Sequence, residues 1–598
     1  MKRILSILVL IVFSLASLAQ ENETALEKKL IEALSYVDSA ILDEHFIAND
    51  IIIEQFRKNN YPEVIKYAKS YMQTRKRMLE QMYFVFSEQE REELSFMVEK
   101  DIVFHYIISA VIHTNDTHIT GDIYDYLIFT KQLQLRTILQ IDKAVQQSGN
   151  AKLLACQEEY KELKKQLANS NPSYSLNRDS LEHRMNILGR LLAFYGSSFI
   201  EKDNISWRNI QQRLRPGQSA IEFTEFQLFE GKEITRLDMN AAFIITPTCK
   251  QPILKLANSK SFLTYWTPDN QGDLYDAQKY GAALTQLFWL NILFFLDDEE
   301  IKTVYFSPSG VLHNIAIEHL PYDAENPVCW HYNMTRLSST RELVTTHNHF
   351  PEKSAAIYGN LSYRLSAETM AQRGNTRGAV DPLPKTKVEI EGINQILSPL
   401  DYRVQTFTKQ QGTEESVKSL DGHSPSILHF ATHGFVDRSS NDVMQKSGLI
   451  LSYGARAWEG KPIPKNTEDG ILTAAEIAAL DLSGTDIVVL SACNTALGEI
   501  TTEGVWGLQR AFKQAGVQTI VMSLWQVDDE STAVLMQYFY EELMKGRRAL
   551  DNIINICHGD PERAFDYTHD ALHRAQHRMR QHPKYSNPYY WAGFIVLD

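Results

Sequence analysis

From Thr24 to about Ile200 the apolar residues recur at three- and four-residue spacing, the period of helices that bury one face. Leu26, Leu30, Ala33, Val37 and Ile41 fall on one side, and Leu181, Met185, Leu188, Leu192 and Tyr195 repeat the arrangement. Thr24 and Glu27 have capping-box spacing, each side chain satisfying a backbone donor at the helix start. Turn formers interrupt the pattern at Asn59-Asn60-Tyr61-Pro62, His113 to Gly121, Ser148-Gly149-Asn150 and Asn169 to Tyr174. Residues 20–206 therefore read as an all-α stack of helical pairs.

The pattern changes after Arg215-Pro216-Gly217. Ala220 to Phe226 and Ala241 to Thr246 are short and rich in β-formers. Further on, strand-like and helix-like segments alternate. Thr303 to Phe306, Ala355 to Tyr358, Ile427 to Phe430, Asp486 to Leu490 and Thr519 to Met522 read as buried strands. Glu389 to Leu397 and Asp529 to Met544 read as helices, and Thr473 to Glu476 opens another with a capping box. This alternation predicts an α/β fold with a mostly parallel sheet over residues 207–598, its core at about 300–598. Leu365 to Pro384 and Tyr453 to Gly470 lack periodicity and are predicted as exposed loops.

Two of the strands share a design. Ser426 to Phe430 runs into Ala431-Thr432-His433-Gly434, and Asp486 to Leu490 runs into Ser491-Ala492-Cys493-Asn494. In an open parallel sheet, ligands bind beyond the carboxyl ends of the strands, so this histidine and cysteine can face one cleft. Their separation of 60 residues leaves room for one crossover and an insertion. A thiolate attacks an amide carbon while an imidazole manages protons, above all on the leaving amine. The tetrahedral oxyanion needs preorganised donors, and the backbone N–H groups of Gly434 and Cys493 are the candidates.

The formal net charge of −14 gives no concentrated basic face, so nucleic acid and anionic membrane are not expected partners. Lys2 and Arg3 precede an apolar run from Ile4 to Leu18, with small residues at Ser17 and Ala19. This predicts a signal peptide over 1–19, cleaved before Gln20, and an exported protein, periplasmic or extracellular. The apolar run is shorter than the roughly 20 residues of a spanning helix, so no stable membrane span is expected after its removal. Cys156, Cys249, Cys329, Cys493 and Cys557 are widely spaced and odd in number, which is no disulfide framework and leaves a free, working thiol.

His433-Gly434 and Ala492-Cys493 behind apolar strands resemble the clan that includes caspases, gingipains and separases. Finer motifs are similar to the CHAT family within it: Tyr305 to Gly310, Arg336 to Glu342, Leu490 to Ala496, Glu503 to Leu508, Ser523 to Asp529 and Asn587 to Phe594. The similarity runs from about Trp207 to Asp598, and the helices upstream resemble the degenerate, tetratricopeptide-like repeats that often precede such domains. The resemblance implies a caspase-like α/β fold, a Cys–His dyad with no required third member, and proteolysis of selected proteins. It also implies a protein partner on the helices, and no cofactor. One departure is Glu318-His319-Leu320, where the family more often has Glu-Ala-Leu; His319 is read as a peripheral packing change. In separases an acidic residue of the segment similar to Leu524 to Asp529 recognises a basic side chain before the scissile bond, and alignment by Trp525 and Val527 places it at Asp529. The competing reading makes Asp528 or Asp529 the N-cap of the following helix.

His569, His573 and His577 share one helical face and could hold a metal, but a solvated helix face beside Leu572, Ala575 and Met579 explains them better, and no metal site is assigned. Gly504 and Gly507 lack the lysine and spacing of a phosphate loop. Arg373 and Arg377 in the Leu365 to Pro384 loop are candidate self-cleavage points. The expected function is a cysteine endopeptidase acting on protein or peptide substrates after a basic residue. The alternatives are a non-catalytic assembly scaffold and a transferase working through the same thioester.

Overall fold

The computed structural model describes residues 37–95, 98, 101–168, 178–199, 204–229, 237–258, 271–345, 352–364, 380–436, 444–461, 468–492, 499–501, 504–557 and 566–598. The leader assigned to 1–19, the Thr24–Glu27 capping box, Arg373, Arg377 and Cys493 lie outside them.

The helical period is realised as long helices at Ser39–Arg57, Tyr61–Tyr83, Ile102–Thr114, Thr120–Thr130, Leu133–Gln147, Ala151–Ala168 and Arg178–Gly196. The first three pack on one another through Ile52, Phe56, Val64, Ala68, Ile107 and Val111. In the Arg178–Gly196 helix the buried face is narrower than its apolar pattern. Leu188 and Leu192 are buried, whereas Ile187, Leu191, Phe194 and Tyr195 are at least 38% exposed. Among the described residues no helix is long and apolar enough to cross a membrane.

After the Trp207–Arg213 helix come β1 (Gln218–Leu228), β2 (Leu237–Ile245), β3 (Ile253–Asn258), β4 (Thr303–Ser307) and β5 (Asn333–Arg336). They form a mixed sheet in the order β3-β2-β1-β4-β5. Only the β1–β4 and β4–β5 pairs are parallel. The sequence pattern predicts the strands but not this separate sheet: a short connection between β1 and β2 can only close an antiparallel pair. Alternate side chains serve two cores. Ala220, Phe226, Ala241, Phe243 and Tyr305 pack against the N-terminal helices. Ile221, Phe223, Ala242, Ile244 and Phe306 face the rest of the chain. On the helical side Lys131 Nζ reaches Glu222 Oε1 at 2.7 Å, with both side chains at most 6% exposed. The same ammonium donates to Ser307 Oγ at 2.7 Å and to the Pro308 carbonyl at 3.0 Å. Burial pulls its pKa down, and the Glu222 charge pulls it back up.

The second sheet is the predicted one. Its strands are β6 (Ser354–Leu361), β7 (Arg403–Lys409), β8 (Ile427–Ala431), β12 (Ile487–Ser491), β15 (Thr519–Ser523) and β16 (Phe594–Leu597), in the order β16-β15-β12-β8-β6-β7. All pairs are parallel except β15–β16. β8 and β12 are buried along their whole lengths, because helices cover both faces of the sheet. The Thr386–Leu397 and Asp529–Cys557 helices lie on one face, where Tyr540 meets His429. The Leu508–Gln514 helix lies on the other, where Phe512 meets Phe430. β9 (His433–Val436), β10 (Ser447–Ile450) and β11 (Ile471–Thr473) form a small antiparallel sheet, and β13 (Glu499–Thr501) pairs with β14 (Gly504–Trp506). The capping box predicted at Thr473 is present, with Glu476 N donating to Thr473 Oγ1 and Thr473 N to Glu476 Oε2.

Candidate active site

The chain runs from β6 outward to the edge strand β7, then returns to lay β8 on the other side of β6. Such a reversal opens a crevice at the carboxyl ends of the flanking strands. His433 stands there, two residues beyond β8, as the first residue of β9. It is partly exposed. The Tyr363 ring, just after β6, lies 5.0 Å from its imidazole, and the Tyr363 hydroxyl shares a 3.0 Å hydrogen bond with Thr432 Oγ1.

His433 Nε2 lies 2.7 Å from the carbonyl oxygen of Asp381. A carbonyl can only accept, so Nε2 must carry the proton. In the neutral ring Nδ1 is then the nitrogen without a proton. Sequence reading misses this backbone contact. A carbonyl leaves no signature in the side chains. The one local signal is Asp381-Pro382-Leu383-Pro384, whose prolines stiffen the segment.

Gly434 sits on β9 opposite Leu449. β8 and β12 are in register from Ile427 beside Ile487 to Ala431 beside Ser491, so every partner differs by 60 in number. His433 and Cys493 differ by the same 60. On the β12 side the description ends at Ala492, whose carbonyl accepts from Ser523 Oγ at 2.6 Å.

The two aspartates after β15 have different partners. Asp528 Oδ2 accepts from Ser531 N at 2.9 Å, which is the helix cap. Asp529 is half-buried, and its Oδ2 accepts from the backbone N–H of Lys385 at 3.0 Å. Burial pushes the Asp529 carboxyl above its ordinary range; the Lys385 hydrogen bond pulls it down, and the Glu389 and Asp528 charges push it up again.

Several motif residues build the frame around this crevice. Arg336 forms a buried two-pronged pair with Glu318 at 2.7 and 2.9 Å. Burial pushes the Glu318 carboxyl up, but the Arg336 charge and its hydrogen bonds together outweigh it, and the net shift is downward. Trp525 donates to the Tyr589 carbonyl at 3.1 Å, and a Cβ on Gly593 would meet the Trp525 ring at 2.7 Å. His319 corrects its sequence reading. It is not peripheral but 5% exposed, with Nδ1 3.2 Å from Cys329 Sγ and its ring edge-on to Trp591. The histidines of the Asp566–Arg580 helix have separate neighbours: His569 meets Asp598, His577 meets Trp330, and His573 meets the backbone of Cys329. Among the described residues the acids close enough to share a metal are Glu414, Glu468 and Glu476. Lys418 Nζ already stands among them, 2.7 to 3.0 Å from each.

A mostly parallel sheet covered by helices on both faces, with a histidine at the carboxyl end of a central strand, is the α/β arrangement expected of a caspase-like protein. The CHAT domain matches residues 278–597, more than half of the chain, and the chain belongs to the CHAT domain family. It is 29% identical over 237 residues to human tetratricopeptide repeat protein 28, covering 36% of this chain and 8% of that protein. To the mouse protein of the same name it is 30% identical over 127 residues, covering 21% and 4%. The chain thus spans less than a tenth of these relatives. Solved structures similar to it include the Arg-specific cysteine proteinase gingipain R, at 11% identity and a TM-score of 0.31, covering 55% of this chain and 73% of that one. The separase of the Saccharomyces cerevisiae separase–securin complex aligns at 10% identity and a TM-score of 0.33, covering 97% and 48%.

Proposed function

We propose that this protein is a cysteine endopeptidase with His433 and Cys493 as its dyad. The observation that carries the proposal is that His433 stands two residues past β8 with its imidazole held by the Asp381 carbonyl, while in sequence Cys493 follows the neighbouring strand β12 by the same two residues. The Asp381 carbonyl holds the proton on Nε2, so Nδ1 accepts the thiol proton. The thiolate attacks the scissile carbonyl carbon, and the N–H groups of Gly434 and Cys493 receive the oxyanion. As the C–N bond breaks, the imidazolium returns the proton to the leaving amine, and water then hydrolyses the thioester. Asp529, on the same edge of the sheet and not spent on capping, recognises a basic side chain before the scissile bond.

The test is a peptide library presented to wild type and Cys493→Ala side by side. Cleavage by wild type alone, enriched after Arg or Lys, is expected. No difference between the two proteins overturns the peptidase reading.

A second reading, a binding scaffold, is favoured by the exposed Ile187, Leu191, Phe194 and Tyr195 on the outer helix. The same library separates the readings, because a scaffold cleaves nothing.

A further inference from the structure

The segment Asp381-Pro382-Leu383-Pro384-Lys385 touches both candidate site residues at its two ends. At one end the Asp381 carbonyl accepts from His433 Nε2 at 2.7 Å. At the other the Lys385 N–H donates to Asp529 Oδ2 at 3.0 Å. Four peptide links reach at most about 14 Å when fully extended. Two of the five residues are prolines with fixed φ, so the strap has little slack with which to absorb a shift at one end.

The rest of its anchorage is local. Thr386 Oγ1 donates to the Leu383 carbonyl at 2.6 Å and accepts from Asn360 N, at the end of β6, at 2.9 Å. These contacts fix the start of the Thr386–Leu397 helix on the sheet; the Lys385 carbonyl accepts from Glu389 N at 3.1 Å within that helix, and its N–H is held from outside the helix by Asp529. The neighbouring Asp528 is already engaged in capping its own helix. The charged groups facing the Asp529 carboxylate are Glu389, Asp528 and Lys385.

We infer that Asp529 is a positioning residue for His433: its carboxylate clamps the 381–385 strap in the place from which the Asp381 carbonyl fixes the imidazole. The inference rests on the peptidase reading and deepens it, giving one side chain two tasks. Oδ2 holds the strap, and Oδ1 remains for a basic side chain of the substrate. The specificity pocket and the orientation of the general base thereby share a carboxylate.

Asp529→Asn and Asp529→Ala separate the two tasks. Asparagine keeps an oxygen that can accept from Lys385 N–H but carries no charge; alanine removes both. Two readouts are needed: turnover of peptides ending in Arg or Leu before the cleaved bond, and the pH profile of Cys493 alkylation by iodoacetamide, followed by mass spectrometry. In Asp529→Ala, turnover of the Leu peptide falls about tenfold to a hundredfold, the range for a small misplacement of a catalytic group. Its alkylation profile moves toward that of an ordinary cysteine, at about pH 8.5. In Asp529→Asn the preference for Arg is lost, while the alkylation profile of Cys493 stays that of wild type, because the oxygen that accepts from Lys385 N–H is kept. Thermal melts check that all variants are folded. An unchanged alkylation profile in Asp529→Ala, or an equal shift in both variants, overturns the positioning role whatever happens to specificity. If wild type itself has the profile of His433→Ala, it is the dyad reading that fails.

Discussion

Glu389 Oε1 and His429 Nε2 lie 3.0 Å apart with both side chains at most 1% exposed, joining the Thr386–Leu397 helix to β8. His429 Nδ1 also meets the Tyr540 hydroxyl at 3.2 Å, which brings in the Asp529–Cys557 helix. One imidazole thus fixes both helices whose N-terminal ends border the crevice. Glu389→Ala leaves His429 Nε2 without its partner in the core, and loss of about 1–3 kcal/mol of unfolding free energy is expected. Chemical denaturation of wild type and variant measures it, and a change below about 1 kcal/mol would show the pair to be dispensable.

The cysteines should differ sharply in reactivity. Cys329 is buried, and burial raises its thiol pKa well above the ordinary value; burial also raises Cys249. A thiol paired with an imidazole is alkylated faster than either. Limiting iodoacetamide at neutral pH should label Cys493 before Cys329 and Cys249, as read by peptide mass spectrometry. Labelling of Cys249 first would count against a working thiol at Cys493.

Lys131 and Glu222 pair across the boundary between the helices and the first sheet, and Glu222 also accepts from the backbone N–H of Thr340 at 3.0 Å. Lys131→Met strands a buried carboxylate, so a loss of about 3–5 kcal/mol is expected. Adding Glu222→Gln should recover part of it. A double-mutant cycle with no coupling would mean that the two charges act independently.

Burial holds the His319 pKa down, at about 4 against an ordinary 6.5, despite the Glu318 charge that raises it. The folded state therefore refuses a proton that the unfolded chain accepts. Stability from this group is present above about pH 6.5 and is lost as pH falls toward about 4. Across that window wild type should lose up to about 1.4 kcal/mol per pH unit more than His319→Gln. Parallel stability curves for the two proteins would refute a buried neutral histidine.

The second sheet was legible because its strands are short apolar runs closed by turn residues, as at Ile427 to Phe430 and Asp486 to Leu490. The first sheet was legible only as strands. Pairing order depends on which connections are short, and Ala220 to Phe226 reads alike beside a parallel or an antiparallel neighbour. His433 could be found from its strand and glycine. Asp381 could not, since it acts through its backbone, and the task of Asp529 on Lys385 joins residues 144 positions apart. The stripe from Leu181 to Tyr195 misled in part: periodicity reports that a helix has an apolar face, not whether a neighbour covers it, and Tyr195 is 50% exposed.

The mixed sheet has an apolar lining on both sides, and one of those linings belongs to the helices before residue 206. A chain shortened to begin at Trp207 would present Ala220, Phe226, Phe243 and Tyr305 to water, an open patch of the kind that drives aggregation. The helices and the first sheet are thus one folding unit, divided by sequence but not by packing.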